Sequence, residues 1–241
     1  MPTAGILIIG NEILSGKVVD TNSSYLCREL RDLGVDVERV LTILDDVETI
    51  ASEVKAMSGA HDFVFTSGGV GPTHDDVTIE GVASAFGVGV EISESIADRI
   101  RRATGGEPNE SQLKMARVPT GATLLDAGDV WVPLVVMKNV YVFPGIPELL
   151  RRKFESIRER FRGVPFEVSR VYVKRYESDI AESLNALLHE FPELLLGSYP
   201  RMRNESYHVM LTLESRDAGY LKRALDSLLE RLPADAIYKV E

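Results

Sequence analysis

The residues with the clearest chemical potential lie in one run, Thr66-Ser67-Gly68-Gly69-Val70-Gly71-Pro72-Thr73-His74-Asp75-Asp76-Val77-Thr78. Clustered glycines at a strand end let backbone amides approach a ligand closely and point at phosphate oxygens. A helix is expected directly afterwards, adding its N-terminal dipole. The run is neither a Walker loop, since no Gly-Lys-Ser/Thr follows, nor the dinucleotide fingerprint, whose glycine spacing differs. Asp75 and Asp76 beside a phosphate call for a cation between them, because Mg²⁺ is commonly held by one or two carboxylates together with ligand phosphates. Helix capping is the structural alternative, and it accounts for one aspartate better than for two.

Two further segments carry the same combination of strand end, glycine and polar residues. Gly10-Asn11-Glu12-Ile13-Leu14-Ser15-Gly16 precedes Asp20-Thr21-Asn22, any of which could cap the next helix. Phe143-Pro144-Gly145-Ile146-Pro147-Glu148 places Pro147 where a first helical turn tolerates proline. Asp45 and Asp46 end a strand; one can cap the following helix while the other faces a crevice. His74 is a candidate base, but His61, His189 and His208 show no metal-ligand spacing, and no Ser-His-Asp arrangement is legible.

The elements that must position these loops follow from periodicity. Ala4 to Ile9 is an all-apolar strand, Thr21 to Leu33 a helix stopped by Gly34, and Val35 to Leu44 a second strand. Val47 to Met57 is helical, Asp62 to Thr66 a short strand, and Val77 to Phe86 and Ser93 to Arg102 are helices. A β-rich stretch follows, with Val130 to Met137 paired to Asn139 to Phe143 across Lys138, before a basic amphipathic helix from Ile146 to Phe161. Alternating strands and helices predict a mostly parallel sheet with helices on both faces, a three-layer α/β sandwich, whose ligands bind beyond the carboxyl ends of the strands. Gly163-Val164-Pro165 reads as a boundary, giving domains 1–163 and 164–241. The second runs strand, helix, strand, strand, helix, strand over Glu167–Arg175, Ser178–Phe191, Leu194–Tyr199, Ser206–Glu214, Ala218–Leu232 and Ala236–Val240. That is the order of a small ferredoxin-like α+β domain.

Composition narrows the function classes. The formal net charge of −10 offers no basic face for nucleic acid. Lys174, Arg175, Arg201 and Arg203 are not interleaved with an aromatic platform, and Arg201 to Asn204 reads as a hairpin tip. The first apolar run is too short for a signal peptide or a membrane span, so a cytoplasmic protein without membrane association is expected. The single cysteine, Cys27, falls in a helical pattern and reads as a packing residue.

Taken together, Gly-Asn-Glu-Ile-Leu-Ser-Gly, Asp-Thr-Asn, the glycine run through Asp-Asp-Val-Thr, and Phe-Pro-Gly-Ile-Pro-Glu resemble the molybdopterin-binding-domain superfamily. Within it the chain is most similar to competence/damage-inducible protein A and to the N-terminal, FAD hydrolase-like domain of eukaryotic FAD synthase. Asn139 to Arg152, Leu196 to Pro200, Tyr207 and Leu211 to Ser215 extend that resemblance over essentially the whole chain. It implies a metal-dependent pyrophosphatase that cleaves the diphosphate of FAD, ADP-ribose or a related nucleotide and releases AMP. Asp76 and Asp45 are the implied catalytic and metal-binding positions. Ligand contacts are implied for Gly10, Asn11, Glu12, Ser15 and Asn22, for Ser67, Gly68, Gly69, Gly71, Pro72, Thr73, Asp75 and Thr78, and for Pro144 and Gly145. The expected cofactors are a divalent metal (Mg²⁺, Mn²⁺ or Co²⁺) and, as an optional addition, K⁺. Related proteins assemble, so a homo-oligomer, a dimer or trimer, is implied. The competing readings are a pterin- or nucleotide-binding module without turnover, and molybdopterin adenylyl transfer.

Overall fold

A computed structural model describes residues 1–127, 132–202, 204 and 206–241. It divides into two compact units, Met1–Gly163 and Val164–Glu241. In the first, β1 (Thr3–Ile9), α1 (Asn11–Leu14), α2 (Asn22–Asp32), β2 (Asp36–Ile43), α3 (Val47–Ala60), β3 (Phe63–Ser67) and α4 (Thr78–Ala85) lead to the antiparallel pair β4 (Val90–Ile92) and β5 (Arg117–Pro119), between which lie α5 (Glu94–Thr104) and α6 (Glu110–Lys114). Then follow β6 (Thr123–Leu125), β7 (Leu134–Met137), β8 (Val140–Phe143) and α7 (Pro147–Ile157), with a 3₁₀ turn at Arg158–Phe161.

The main sheet has the order β2-β1-β3-β8-β7-β6. β2, β1, β3 and β8 run parallel, β7 is antiparallel to β8, and the edge strand β6 is antiparallel to β7 and so runs in the direction of the first four. β1 lies inside the sheet between β2 and β3, and the alternation of its side chains splits the core. Leu7 and Ile9 pack with α3, α4 and α5 on one face, while Ala4, Ile6 and Ile8 pack with α2 and α7 on the other. A strand covered on both faces must be apolar throughout, which is why Ala4 to Ile9 reads as an unbroken run. Each fully buried residue such as Ile6 or Leu7 stabilises the fold by about 1.5–3 kcal/mol relative to exposure. On the second face Phe65, Phe143, Phe154 and Phe161 are fully buried, with Phe65 and Phe161 edge-to-face at 5.0 Å.

Several elements depart from the sequence expectation for physical reasons. α1 and α6 lie outside it, because four or five residues are too few to show a helical apolar period; α6 is instead announced by its capping box of Asn109 and Gln112. β7 opens only at Leu134, after Pro133, which has no N–H to give a ladder; Val130 and Trp131, expected in this strand, lie outside the described residues. The β7–β8 turn holds Lys138 at φ 54°, as the pairing across it requires. The basic helix stops at Ile157 and tightens into the 3₁₀ turn.

The second unit carries β9 (Glu167–Val173), α8 (Glu177–Glu190), β10 (Leu195–Pro200), β11 (Val209–Ser215), α9 (Ala218–Arg231) and β12 (Ile237–Val240). Its fully antiparallel sheet has the order β10-β11-β9-β12, the ferredoxin-like arrangement. Val171, Val173, Val209, Leu211 and Leu213 pack against both helices. This unit also carries a cluster of tyrosines. Tyr172 and Tyr207 meet at 4.9 Å, and Tyr207 stacks on Tyr238 at 6.0 Å. Glu241 receives the Tyr172 hydroxyl at 2.8 Å and pairs with Lys239, so the charge beside these rings is already neutralised. Arg203, assigned to the hairpin tip, lies outside the described residues; Arg201 and Asn204 lie between β10 and β11.

Candidate functional site

Four parallel strands deliver their carboxyl ends to one region of the first unit. Gly10 follows β1, Asp45 follows β2, Gly68 follows β3, and Pro144-Gly145 follows β8. Their backbones are tied together, with Gly10 N donating to Ile43 O at 3.2 Å and Gly68 N to Phe143 O at 3.2 Å. Gly68 has φ 109°, and a Cβ there would lie 2.0 Å from the Ile9 carbonyl oxygen, so only glycine fits. A Cβ on Gly145 would come within 3.3 Å of Gly68 Cα, so these two loops touch backbone to backbone.

Three buried polar side chains brace this arrangement. The Asn22 amide donates to Gly145 O at 2.7 Å and to Ser67 Oγ at 3.0 Å, and Ser67 Oγ donates onward to Pro144 O at 3.3 Å. Thr78 Oγ1 donates to Gly68 O at 2.9 Å, and Thr78 N donates to Gly69 O at 3.0 Å. α4 therefore begins at Thr78 with its first amide already occupied, and phosphate oxygens would be met by the loop itself. Capping of α2 falls to Asp20, whose carboxylate accepts from Asn22 N at 2.9 Å and Ser23 N at 3.0 Å.

The paired aspartates divide their work. Asp46 caps α3, accepting from Thr49 N at 2.8 Å and Thr49 Oγ1 at 2.7 Å. Asp45, pointing the other way, accepts from Asn11 N at 2.7 Å and lies beside Gly69. Burial pushes the Asp45 carboxyl above its ordinary range, with Glu12, Asp75 and Asp76 adding to the rise against the opposing Asn11 hydrogen bond. Asp76 accepts from Thr73 N at 2.8 Å and Thr73 Oγ1 at 2.6 Å, which shapes the loop around Gly71. Neither Asp75 nor Asp76 caps α4, whose N-cap, Val77, has no side-chain hydrogen bond, so the capping alternative is set aside. His74 is exposed and lies 3.9 Å from Asp75, away from any partner that could make it a positioned base.

A crevice of about 630 Å³ opens over these loops. Of the residues expected at the site, Glu12, Gly68, Gly69, Gly71, Pro72, Asp76, Pro144 and Gly145 line it. Gly10, Asn11, Asp45, Asn22, Ser67, Thr73, Asp75 and Thr78 stand behind or beside that lining, and several of them hold it in shape. Ser15 is exposed and donates to Glu12 O at 3.2 Å, so its hydroxyl serves the turn of α1. Residues not expected from sequence complete the walls: Glu80 on α4 paired with Arg117 at 3.2 Å, Lys114, whose ammonium donates to Thr73 O, and an apolar end containing Val132, Pro133, Val135, Leu149 and the buried Lys153. A signal for Lys153 is present in the sequence, since it interrupts the apolar stripe Leu150, Phe154 and Ile157 of α7.

The donor set bears on the expected metal. Among the described residues, no three His, Cys, Asp or Glu side chains come close enough to hold an ion together. Asp45 is nonetheless raised, mainly by burial and further by the negative charge of Glu12, Asp75 and Asp76, a repulsion that a cation would relieve. The residues fit a divalent ion held by one or two carboxylates and completed by ligand phosphates, the arrangement Mg²⁺ accepts.

Residues 5–162 match the family described as probable molybdopterin binding domain, and residues 165–241 match the FAD synthase middle domain. The chain is 36% identical over 229 residues to a protein of Archaeoglobus fulgidus, covering 94% of this chain and 96% of that one. It is 33% identical to the probable FAD synthase of Caenorhabditis elegans over 98% of this chain, but spans only 51% of that protein. Among solved structures, CinA of Thermoplasma acidophilum, a protein described as of unknown function, superposes with a TM-score of 0.62 at 28% identity, covering 66% of this chain and 97% of that one. No helix among the described residues is long and apolar enough to cross a membrane.

Proposed function

We infer, from a chain that belongs to the molybdopterin-binding-domain family and continues into a match to the FAD synthase middle domain, that the crevice binds a nucleotide diphosphate and hydrolyses it to release AMP. The observation that carries this reading is the convergence of the glycine loop, Asp76 and the loops after β1 and β8 on one crevice. Diphosphate cleavage by water requires positioning and charge neutralisation more than a strong nucleophile. The amides of Gly69 and Gly71 would hold phosphate oxygens, whereas the Gly68 amide, expected to join them, is already bonded to Phe143 O, and Thr78 and Asn22 brace the loops around them. Asp76 and Asp45 would hold a divalent ion, Mg²⁺, Mn²⁺ or Co²⁺, which when bound neutralises the diphosphate and acidifies a water.

The test is AMP release from FAD and from ADP-ribose in the presence of each divalent ion. Asp76→Ala is expected to reduce turnover by at least about a hundredfold, the scale for loss of a transition-state charge stabiliser. Turnover unchanged in that variant would overturn the assignment of Asp76. A second reading is binding without turnover, in keeping with a family described as probable molybdopterin binding domain. Tight nucleotide binding with no AMP formed under any ion would establish it.

A further inference from the structure

The acidic turn that ends the glycine loop is held from a distant part of the chain. Pro72, Thr73, His74 and Asp75 are exposed, so burial does not fix their place. Within the turn, Thr73 N and Thr73 Oγ1 both donate to Asp76 Oδ2, at 2.8 and 2.6 Å, and Asp76 N returns a longer bond to Thr73 O at 3.3 Å. Among the described residues, the one hydrogen bond that reaches residues 73–76 from outside the loop is the Lys114 ammonium donating to Thr73 O.

Lys114 itself stands on an anchored segment. The capping box of Asn109 and Gln112 fixes the start of α6, and Ala116 O, just beyond its end, accepts from Ser93 N at 2.8 Å. Arg117, the first residue of β5, pairs with Glu80 of α4 at 3.2 Å and so commits its charge to a carboxylate. Lys114 differs: it is half-buried, and among the described residues no carboxylate lies within ion-pair distance of it.

The consequence falls on Asp76. Its Oδ2 is occupied by two donors, whereas its Oδ1 has no hydrogen-bond partner among the described residues. The carboxylate lies against Gly71, where a Cβ would come within 2.7 Å of Oδ2 and 3.1 Å of Oδ1. A carboxylate with one oxygen restrained and the other free is arranged as metal ligands are, and a group that orients such a ligand typically contributes about ten- to a hundredfold in metal affinity. We propose that Lys114 is the positioning residue for Asp76: it holds the Thr73 carbonyl, Thr73 holds one oxygen of Asp76, and the other oxygen is kept in place for a divalent ion. The proposal rests on the reading of Asp76 as a metal ligand.

The test is the affinity of the full chain for Mn²⁺ alone, followed by the electron paramagnetic resonance signal of the free ion, with no nucleotide present. A lysine acting only through its charge would repel the ion, so its removal would tighten binding. Positioning predicts the opposite sign: Lys114→Met should bind Mn²⁺ about tenfold more weakly or worse, and Lys114→Arg, which keeps a donor for the carbonyl, should stay within about threefold of wild type. Thr73→Ala, which removes the hydroxyl donor at the other end of the relay, should weaken Mn²⁺ in the same direction, and it decides the question if Lys114→Met does not melt cooperatively. Unchanged or tighter Mn²⁺ binding in Lys114→Met, or equal weakening in Lys114→Arg, would overturn the proposal. No Mn²⁺ bound by the wild type would overturn it together with the assignment of Asp76 as a ligand. AMP release is measured separately: the expected Mn²⁺ pattern without AMP from any nucleotide leaves Lys114 in place and removes the hydrolase reading, whereas AMP release without the pattern does the reverse.

Discussion

At the scale of single residues, Lys153 has a consequence for stability that is independent of any ligand. Its folded-state amine, near 8, lies below the ordinary lysine value of about 10.4. Between those values the unfolded chain binds more protons than the folded one, so this group makes stability rise with pH across that window. Below about pH 8 the whole penalty of burying the charge is present. Lys153→Met is therefore expected to be more stable than wild type at pH 7, by about 1–3 kcal/mol after allowing for the lost hydrogen bond to Val132. Thermal unfolding of both proteins at several pH values checks this, and an advantage that does not shrink between pH 8 and 10 would contradict it. Lys153 illustrates what sequence half reveals: its place in the apolar stripe of α7 is legible, but its burial with the Val132 carbonyl as acceptor is not. The pair Asp45-Asp46 is legible as one cap and one crevice residue, but not which is which, because that depends on the extended Asp46 backbone (φ −135°) that aims its carboxylate at Thr49.

At the scale of elements, long periodic segments are readable and short ones are not. The fully apolar β1 and the striped α2 and α7 declare themselves because burial dictates each of their positions. α1, α6, β4, β5 and β6 are three to five residues long, held by neighbours more than by their own pattern. One contact between elements that periodicity leaves out of view is the crossing of α3 and α4. A Cβ on Gly81 would meet Ile50 Cγ2 at 2.4 Å, so the helices approach through the glycine. Gly81→Ala should therefore destabilise by about 1–3 kcal/mol, the cost of overpacking a filled core, even though alanine is the better helix former. Chemical denaturation is the measurement, and a stabilised variant would show that the interface can open without cost. Because α4 also supplies Thr78 to the glycine loop, the same variant should bind nucleotide more weakly than its loss of stability alone predicts.

At the scale of the whole molecule, the first unit builds both of its cores from residues between Ala4 and Phe161, and the crevice is lined entirely by the same unit. Residues 1–163 produced alone are expected to unfold cooperatively and to retain nucleotide binding; a gradual, non-cooperative melt would refute this. The contrast between the two ends of the crevice also sets how such a scaffold can change. At one end a Cβ on Gly68 would strike the Ile9 carbonyl oxygen at 2.0 Å and one on Gly145 would come within 3.3 Å of Gly68 Cα, so the first position tolerates no side chain and the second little. At the other, Leu149 of α7 is only partly buried, so its side chain has fewer fixed neighbours. Room for change is thus uneven along the site: the turn at Gly68 can be kept or lost but not adjusted, whereas a different side chain is more readily taken up at Leu149 on α7.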